Sequence, residues 1–409
     1  MHILLVADGR SPITRRWIRA LVALQHRVSL ISTFPCAEID GVSNLHILPV
    51  AFAGLGGSQV GVTGALTPGK SRQLVSRFRS VFLSGRYFLG PFSLPFYARR
   101  FRALVDEIEP DLVHALRIPF EGMLASQTPA SIPLAVTIWG NDLTYHALGS
   151  PFMKAYTLRT LRRANGLLSD ARRDIRLGQL WGFPPERPIL VVPGGAGIDL
   201  AEMHRLRARF AESFADLLPA GVPMVINPRG FRPGSVRNDV FFQAIPLVLE
   251  RKPSVFFVCT AMAGQPEALR WVQQLKLDGH IRLLPYLPQP QLWDLFVRAN
   301  TFVSVSSHDG TPNSFLEGIA CGCFPVVGDI ESLREWVTPG VNGFLVEPDK
   351  PQALADALVV ALDSPELLAG AAEKNLQLVR QRAEAGMVRA QIEIFYQRLV
   401  GSAAVTTTP

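Results

Sequence analysis

The stretch TFVSVSSHDGTPNSFLEGIACGCFPVVG, residues 301–328, reads as strand, loop, helix and strand in succession. TFVSV and FPVVG are short, nearly continuous apolar runs, the pattern of strands buried on both faces of a parallel sheet. Between them Phe315, Leu316, Ile319 and Ala320 fall on one helical face. Thr311 is expected as the N-cap with Pro312 as first helical residue, and Gly322 and Pro325 as the stop. The N-terminal end of that helix, around Asn313 and Ser314, then carries the partial positive charge that suits a phosphate or diphosphate. Glu317 lies off the apolar stripe on the side of Asn313, where a carboxylate meets either water or a ligand hydroxyl.

The same alternation continues outward in both directions. One series of strand-like runs holds residues 2–7, 27–32, 44–50, 111–115, 132–138, 166–170 and 188–192. A second holds 223–227, 254–259, 280–285, 301–305, 324–328 and 342–346. Helical stretches at 12–25, 98–109, 152–165, 240–251, 266–277 and 288–299 fit crossovers between them. Two such βαβ series predict an α/β protein of two doubly wound domains whose strand C-termini meet at a shared cleft. The glycine-rich segment VVPGGAGIDL, residues 191–200, marks the seam. The expected domains are 1–197, 198–384 and a C-terminal stretch, 385–409, whose helix caps the second domain or crosses back to the first. The tail SAAVTTTP reads as disordered.

At 409 residues, with 48% hydrophobic and 18% charged residues, the chain is a globular protein of more than one core. No apolar run approaches the ~18–20 residues that span a bilayer, and no basic leader precedes the first strand, so a cytoplasmic protein is expected. Cys36, Cys259, Cys321 and Cys323 lack metal or disulfide spacing and read as small packed residues. The net charge of +7 is uneven, and no acidic residue occurs between Asp40 and Asp106. That span carries Lys70, Arg72, Arg77, Arg79, Arg86, Arg99, Arg100 and Arg102 among phenylalanines and leucines. Residues 70–102 therefore suit an anionic membrane surface, or a helix pair packed on its own domain with snorkelled arginines. Nucleic acid is not expected, because no nucleic-acid-binding motif accompanies the charge.

The loop NPRGFRPGSVRND, residues 227–239, follows the first strand of the second series and sets Arg229, Arg232 and Arg237 among glycines and prolines. Arginines at a strand's C-terminal end are apt phosphate clamps. Taken with HDGTPNSFLEGIACGCFPVVGDIESLREWVTPGVNGFLVEP, residues 308–348, this half of the chain resembles the nucleotide-sugar glycosyltransferases of the GT-B fold, family 4. VVPGGAGIDL resembles that family's interdomain segment, and IRLLPYLPQPQLWDLFVRAN, residues 281–300, the segment before its acidic motif. The resemblance implies two Rossmann-like domains facing across a cleft, a UDP- or GDP-sugar co-substrate, no metal or other cofactor, and retention of configuration.

It also implies roles. Glu317 matches the acidic residue that holds the ribose hydroxyls, and Asp309 the one beside the transferred sugar, where the family usually has glutamate. Arg229 and Arg237 match the basic pair on the diphosphate, and Gly310, Thr311, Pro312, Asn313 and Ser314 the loop that touches diphosphate or sugar. Tyr286 and Leu287 match the segment passing the base. In the first domain, Gly9 is a credible donor-side contact, since glycine permits close backbone approach. The family often has a histidine before a glycine near the acceptor; here TIWGNDLTYHA, residues 137–147, places Trp139 there. Asp142, His146 and His114 are the substitutes for it, each equally readable as a capping or packed residue. The expectation is a retaining hexosyltransferase acting on a glycan or lipid-linked acceptor, peripheral on the inner membrane face. An epimerase or phosphorylase of the same architecture, or a non-catalytic nucleotide-sugar-binding scaffold, stays open.

Overall fold

The computed structural model of the protein describes residues 1–51, 85–207, 214, 218–232 and 234–406. Lys70, Arg72, Arg77 and Arg79 of the basic run lie outside them. The chain divides into two units, one of Met1–Ala196 with Arg389–Pro409 and one of Gly197–Val388.

The first unit is built on seven parallel strands: β1 (His2–Ala7), β2 (Arg27–Ser32), β3 (Val42–Ile47), β4 (Leu112–Ala115), β5 (Leu134–Ile138), β6 (Gly166–Ser169) and β7 (Ile189–Val191). Their order is β3-β2-β1-β4-β5-β6-β7, so the strand order reverses between β1 and β4. β4, β5 and β6 are buried along their whole length, and each is mostly apolar with one polar residue, His114, Thr137 and Ser169 respectively. The helix Pro12–Ala23 is started by Ser11, whose hydroxyl accepts from the Ile13 amide, with Pro12 at the first position. It turns Trp17, Ile18 and Leu21 into the core. The C-terminal segment of this unit packs Phe395 and Leu399 against Gly166 of β6, where a Cβ would stand 2.6 Å from the Phe395 ring.

The second unit has six parallel strands: β8 (Met224–Asn227), β9 (Phe256–Cys259), β10 (Ile281–Leu283), β11 (Thr301–Ser304), β12 (Phe324–Gly328) and β13 (Phe344–Val346). Their order, β10-β9-β8-β11-β12-β13, reverses between β8 and β11. Successive side chains feed cores on opposite faces: Ile226 and Phe302 on one, Val225 and Val303 on the other. Full burial of a side chain such as Phe302 or Phe257 contributes about 1.5–3 kcal/mol.

Three local expectations are corrected. Pro312 is extended (ψ 134°) and is itself the N-cap, so the helix is Asn313–Ala320. The Thr311 hydroxyl is instead taken by the Trp336 indole N–H at 3.0 Å. Pro325 does not stop the helix but lies inside β12; Cys321 and the left-handed Gly322 (φ 96°) end it. The long helical stretch expected at 366–400 is two helices, Pro365–Arg382 and Ala385–Thr406. They break where Ile198 pairs with Glu384. The second helix runs into the tail that composition marks as disordered.

Candidate functional site

In an open parallel sheet the crevice for a ligand lies where the strand order reverses, outside the strands' carboxyl ends. In the second unit that place is β8/β11, and the loops leaving these two strands are tied together. The Arg237 amide donates to the Val305 carbonyl and the Ser307 amide to the Ser235 carbonyl, both at 2.8 Å. The Asn227 side chain accepts from the Arg229 amide and donates to Asn238, which fixes the start of the arginine loop.

Across this junction Arg229 meets Asp309. Its Nη2 lies 2.5 Å from Asp309 Oδ2, and the Arg229 side chain is only 6% exposed. Asp309 Oδ1 accepts from the Gly310 amide, and its carbonyl accepts from the Ser332 hydroxyl. Arg229 Nε is buried with no hydrogen-bond partner. Arg232 lies close enough that the Arg229 charge, with partial desolvation, lowers its pKa to about 10. Arg237 is turned away to Asp239, at 2.8 Å, and is partly exposed. Of the two arginines assigned to the diphosphate, the structure therefore sets Arg229 against Asp309 and leaves Arg237 on Asp239. Arg232 stands in the same loop but is given no role by the resemblance, and nothing in the sequence ranks it above Arg237.

No side chain caps the helix Asn313–Ala320, so its first amides give this end a partial positive charge. Gly318 lets the helix approach the sheet, since a Cβ there would stand 2.8 Å from the Phe302 ring. Glu317 is not open to water as its place off the apolar stripe suggests. It is buried, accepting from Gln289 Nε2 at 2.7 Å and Trp293 Nε1 at 3.1 Å. The helix Gln289–Arg298 covers the side of Asn313–Ala320 that its own pattern leaves polar. These two bonds orient the Glu317 carboxylate. Tyr286 is 66% exposed, whereas Leu287 is half-buried against the core.

The reversal point of the first unit, β1/β4, holds a pocket of about 290 Å³. Arg10, Arg86, Arg117, Glu121, Trp139 and His146 are among its walls. His146 bonds to the Tyr87 hydroxyl at 2.6 Å through Nδ1. Burial, then the charges of Arg117 and Arg86, push its pKa down to about 3, so it is neutral at pH 7. Asp142 is a structural anchor: fully buried, it accepts from Arg117 Nη2 and from the amides of Ile118 and Trp139. His114 lies in β4 between the Tyr396 and Thr137 hydroxyls, with burial holding its pKa down to about 3. Gly9 donates to Ser32 Oγ, and a Cβ there would stand 2.5 Å from Cys36 Sγ, so packing accounts for the glycine. Among the described residues no group of three or more His, Cys, Asp or Glu is arranged to hold a metal.

The family described as "Glycosyl transferases group 1" matches residues 231–364, and that described as "Glycosyl transferase 4-like domain" matches residues 8–195. The chain belongs to the group 1, family 4 type glycosyltransferases. It is 27% identical over 217 residues to the D-inositol 3-phosphate glycosyltransferase of Thermobispora bispora, covering 50% of each protein. The match thus spans about half the length of that curated relative. Among solved structures, the sucrose-phosphate synthase of Thermosynechococcus elongatus superposes with a TM-score of 0.73 at 14% identity, over 98% of this chain and 100% of that one. Anabaena HepE in complex with UDP does so with a TM-score of 0.68 at 15% identity, over 98% and 100%. These likenesses show the fold: two Rossmann-like domains of the GT-B class.

Proposed function

We propose that this chain is a retaining glycosyltransferase that moves a hexose-type sugar from a UDP- or GDP-sugar to an acceptor hydroxyl. The carrying observation is Arg229. Its buried guanidinium has a free Nε and shares the β8/β11 junction with the loop that leads into the Asn313–Ala320 helix. A departing nucleoside diphosphate gains negative charge, and a fixed guanidinium and helix end stabilise it more in the transition state than in the bound donor. In this reading Arg229 and Arg232 face the diphosphate, with Arg237 behind them. Glu317, oriented by Gln289 and Trp293, takes the ribose hydroxyls, and Asp309 stands by the sugar. Gly310 to Ser314 line the diphosphate, and Tyr286 and Leu287 border the base. No protein nucleophile is assigned.

The test is release of nucleoside diphosphate from a panel of nucleotide sugars, with and without glycan and lipid-linked acceptors. Glu317→Ala and Arg229→Ala are each expected to reduce release by at least about tenfold, the loss of one charge-assisted contact. Unchanged turnover in both variants would overturn the assignment.

A separate part of the proposal is peripheral attachment to an anionic membrane, with a glycan or lipid-linked acceptor. Phe88, Leu89, Phe92 and Phe96 are exposed around the start of the helix Leu94–Ile108, and Arg99, Arg100 and Arg102 are exposed along it. Apolar side chains beside arginines suit an anionic lipid surface. Among the described residues no helix is long and apolar enough to cross a membrane. Flotation with phosphatidylglycerol vesicles tests this part. Neutralising Arg99, Arg100 and Arg102 together is expected to release the protein, and unchanged flotation would reject attachment through this surface.

A further inference from the structure

The first unit's pocket buries more guanidinium than its carboxylates engage. Arg10 is spent on Asp8, held through Nε and Nη2 at 3.0 Å. Arg117 gives Nη2 to Asp142, but its Nε is buried with no hydrogen-bond partner. Arg86 Nε is likewise buried without a partner, and no ion pair joins Arg86 to any described residue. Both guanidinium groups are held by ring faces: Arg86 lies 4.6 Å from the Phe120 centroid and 5.4 Å from that of Phe34, and Arg117 4.7 Å from that of Trp139. Rings fix a guanidinium and leave its in-plane N–H groups pointing elsewhere.

The remaining carboxylate in the wall, Glu121, is buried and accepts from the Thr33 hydroxyl at 2.9 Å. Burial raises its pKa, against the opposing charges of Arg117 and Arg86, and it faces two guanidinium groups at once. Phe120, the residue before it, has φ 67° and ψ −51°, backbone strain of a kind that clusters at ligand sites. Leaving a charged donor buried and unpaired is costly, and such groups are ordinarily met by a counter-ion or water.

We propose that this pocket is an oxyanion subsite in which the Arg86 and Arg117 guanidinium groups together hold a phosphomonoester. The pocket's volume lies near the lower bound of about 300 Å³ for small-molecule sites, room for the anion and the group it is attached to. Neutral His146, on the same wall, adds a polar contact without competing for the anion. That the phosphomonoester belongs to the sugar acceptor rests on the glycosyl-transfer reading; the anion site does not.

The test is calorimetric titration of the full chain with inorganic phosphate at constant ionic strength. It is done in an Arg229→Gln background, so that the second unit's arginine does not contribute. One equivalent is expected to bind. Arg86→Gln is expected to weaken binding at least about tenfold, and Arg86→Lys, which keeps charge but not the fork, to fall between. No binding in the parent overturns the proposal. So does equal binding in Arg86→Gln at an unchanged melting temperature. If Arg86→Gln lowers the melting temperature, Arg86→Lys decides, and parent-like binding in it overturns the proposal. Glycerol 1-phosphate and phosphatidic acid in phosphatidylcholine vesicles separate a soluble from a lipid-borne ester. Arg86-dependence in either arm supports the site and names its source; Arg86-independence in both rejects it. No donor or turnover enters, so failure here leaves nucleoside diphosphate release untouched, and the reverse also holds.

Discussion

Arg229 and Asp309, eighty residues apart in the chain, form an ion pair with Nη2 and Oδ2 2.5 Å apart at the junction of β8 and β11. The pair joins the two loops that leave adjacent strands where the strand order reverses. Arg229 is nearly buried, whereas Asp309 is 21% exposed, so the pair has one face open to solvent. In the proposed reading, a diphosphate arriving there would meet a guanidinium already desolvated and held in place by Asp309. That preorganisation is what electrostatic catalysis requires.

Replacing Glu317 by Gln keeps the shape and removes the charge. Its carboxylate now serves Gln289 and Trp293, both donors, and an amide N–H₂ would oppose one of them. A buried donor left unmatched costs about 1–3 kcal/mol. Glu317→Gln should lower the urea midpoint accordingly and raise the donor KM about tenfold or more, the effect of losing a charge-assisted bond. An unchanged midpoint with unchanged KM would contradict the geometry.

Trp293 donates to Glu317, and if Glu317 takes the donor as proposed, Trp293 acts on the donor only through it. Trp293→Phe removes one N–H, worth about 1 kcal/mol, and should raise the donor KM more than it lowers kcat. In a double-mutant cycle with Glu317→Ala the two effects should fail to add. Strict additivity would mean that Trp293 matters only for packing.

Much of this was legible in residues 301–328. The runs TFVSV and FPVVG became the neighbouring strands β11 and β12 because both faces of the sheet are covered, as continuous apolar sequence implies. The cap was misplaced by one residue because the Thr311 hydroxyl is claimed by Trp336, a partner 25 positions away that no local pattern reveals. Glu317 read as open because a helical wheel describes one helix, and the helix that covers it comes from residues 289–298. The choice between Arg232 and Arg237 depends on the path of a glycine- and proline-rich loop, which composition does not determine. In the first unit, the family resemblance pointed to Trp139 and His146 through the run 137–147. Arg86 and Arg117 reach the same pocket only through tertiary packing.

Gly318 brings the Glu317 helix onto β11. A methyl group at its Cβ position would stand 2.8 Å from the Phe302 ring, an overpacking cost of about 1–3 kcal/mol, so Gly318→Ala should show a net destabilisation in urea unfolding. The gain in helix propensity, about 1 kcal/mol, offsets only part of this. A net stabilisation would show that the helix can shift without penalty.

His114 and His146 both have pKa values held down to about 3 by burial, against about 6.5 in the unfolded chain. Below pH 6.5 the unfolded state binds protons that the folded state refuses. Stability is therefore full above about pH 6.5 and falls as the pH drops toward 3, by up to about 1.4 kcal/mol per pH unit for each histidine. Urea unfolding at pH 7.5 and 5.5 measures this, and His146→Gln should lessen the difference. Equal stability at the two pH values would contradict the burial of both rings.

The central claim, that the β8/β11 junction holds a nucleoside diphosphate through Arg229 and Glu317, is tested most directly by thermal unfolding with UDP, GDP and ADP. Ligand that binds only the native state at a hundred times its Kd stabilises by about 2.7 kcal/mol. The account predicts that UDP or GDP raises the Tm of the wild-type chain, and that Arg229→Gln and Glu317→Ala each lose most of that rise. An undiminished rise in both variants would contradict it.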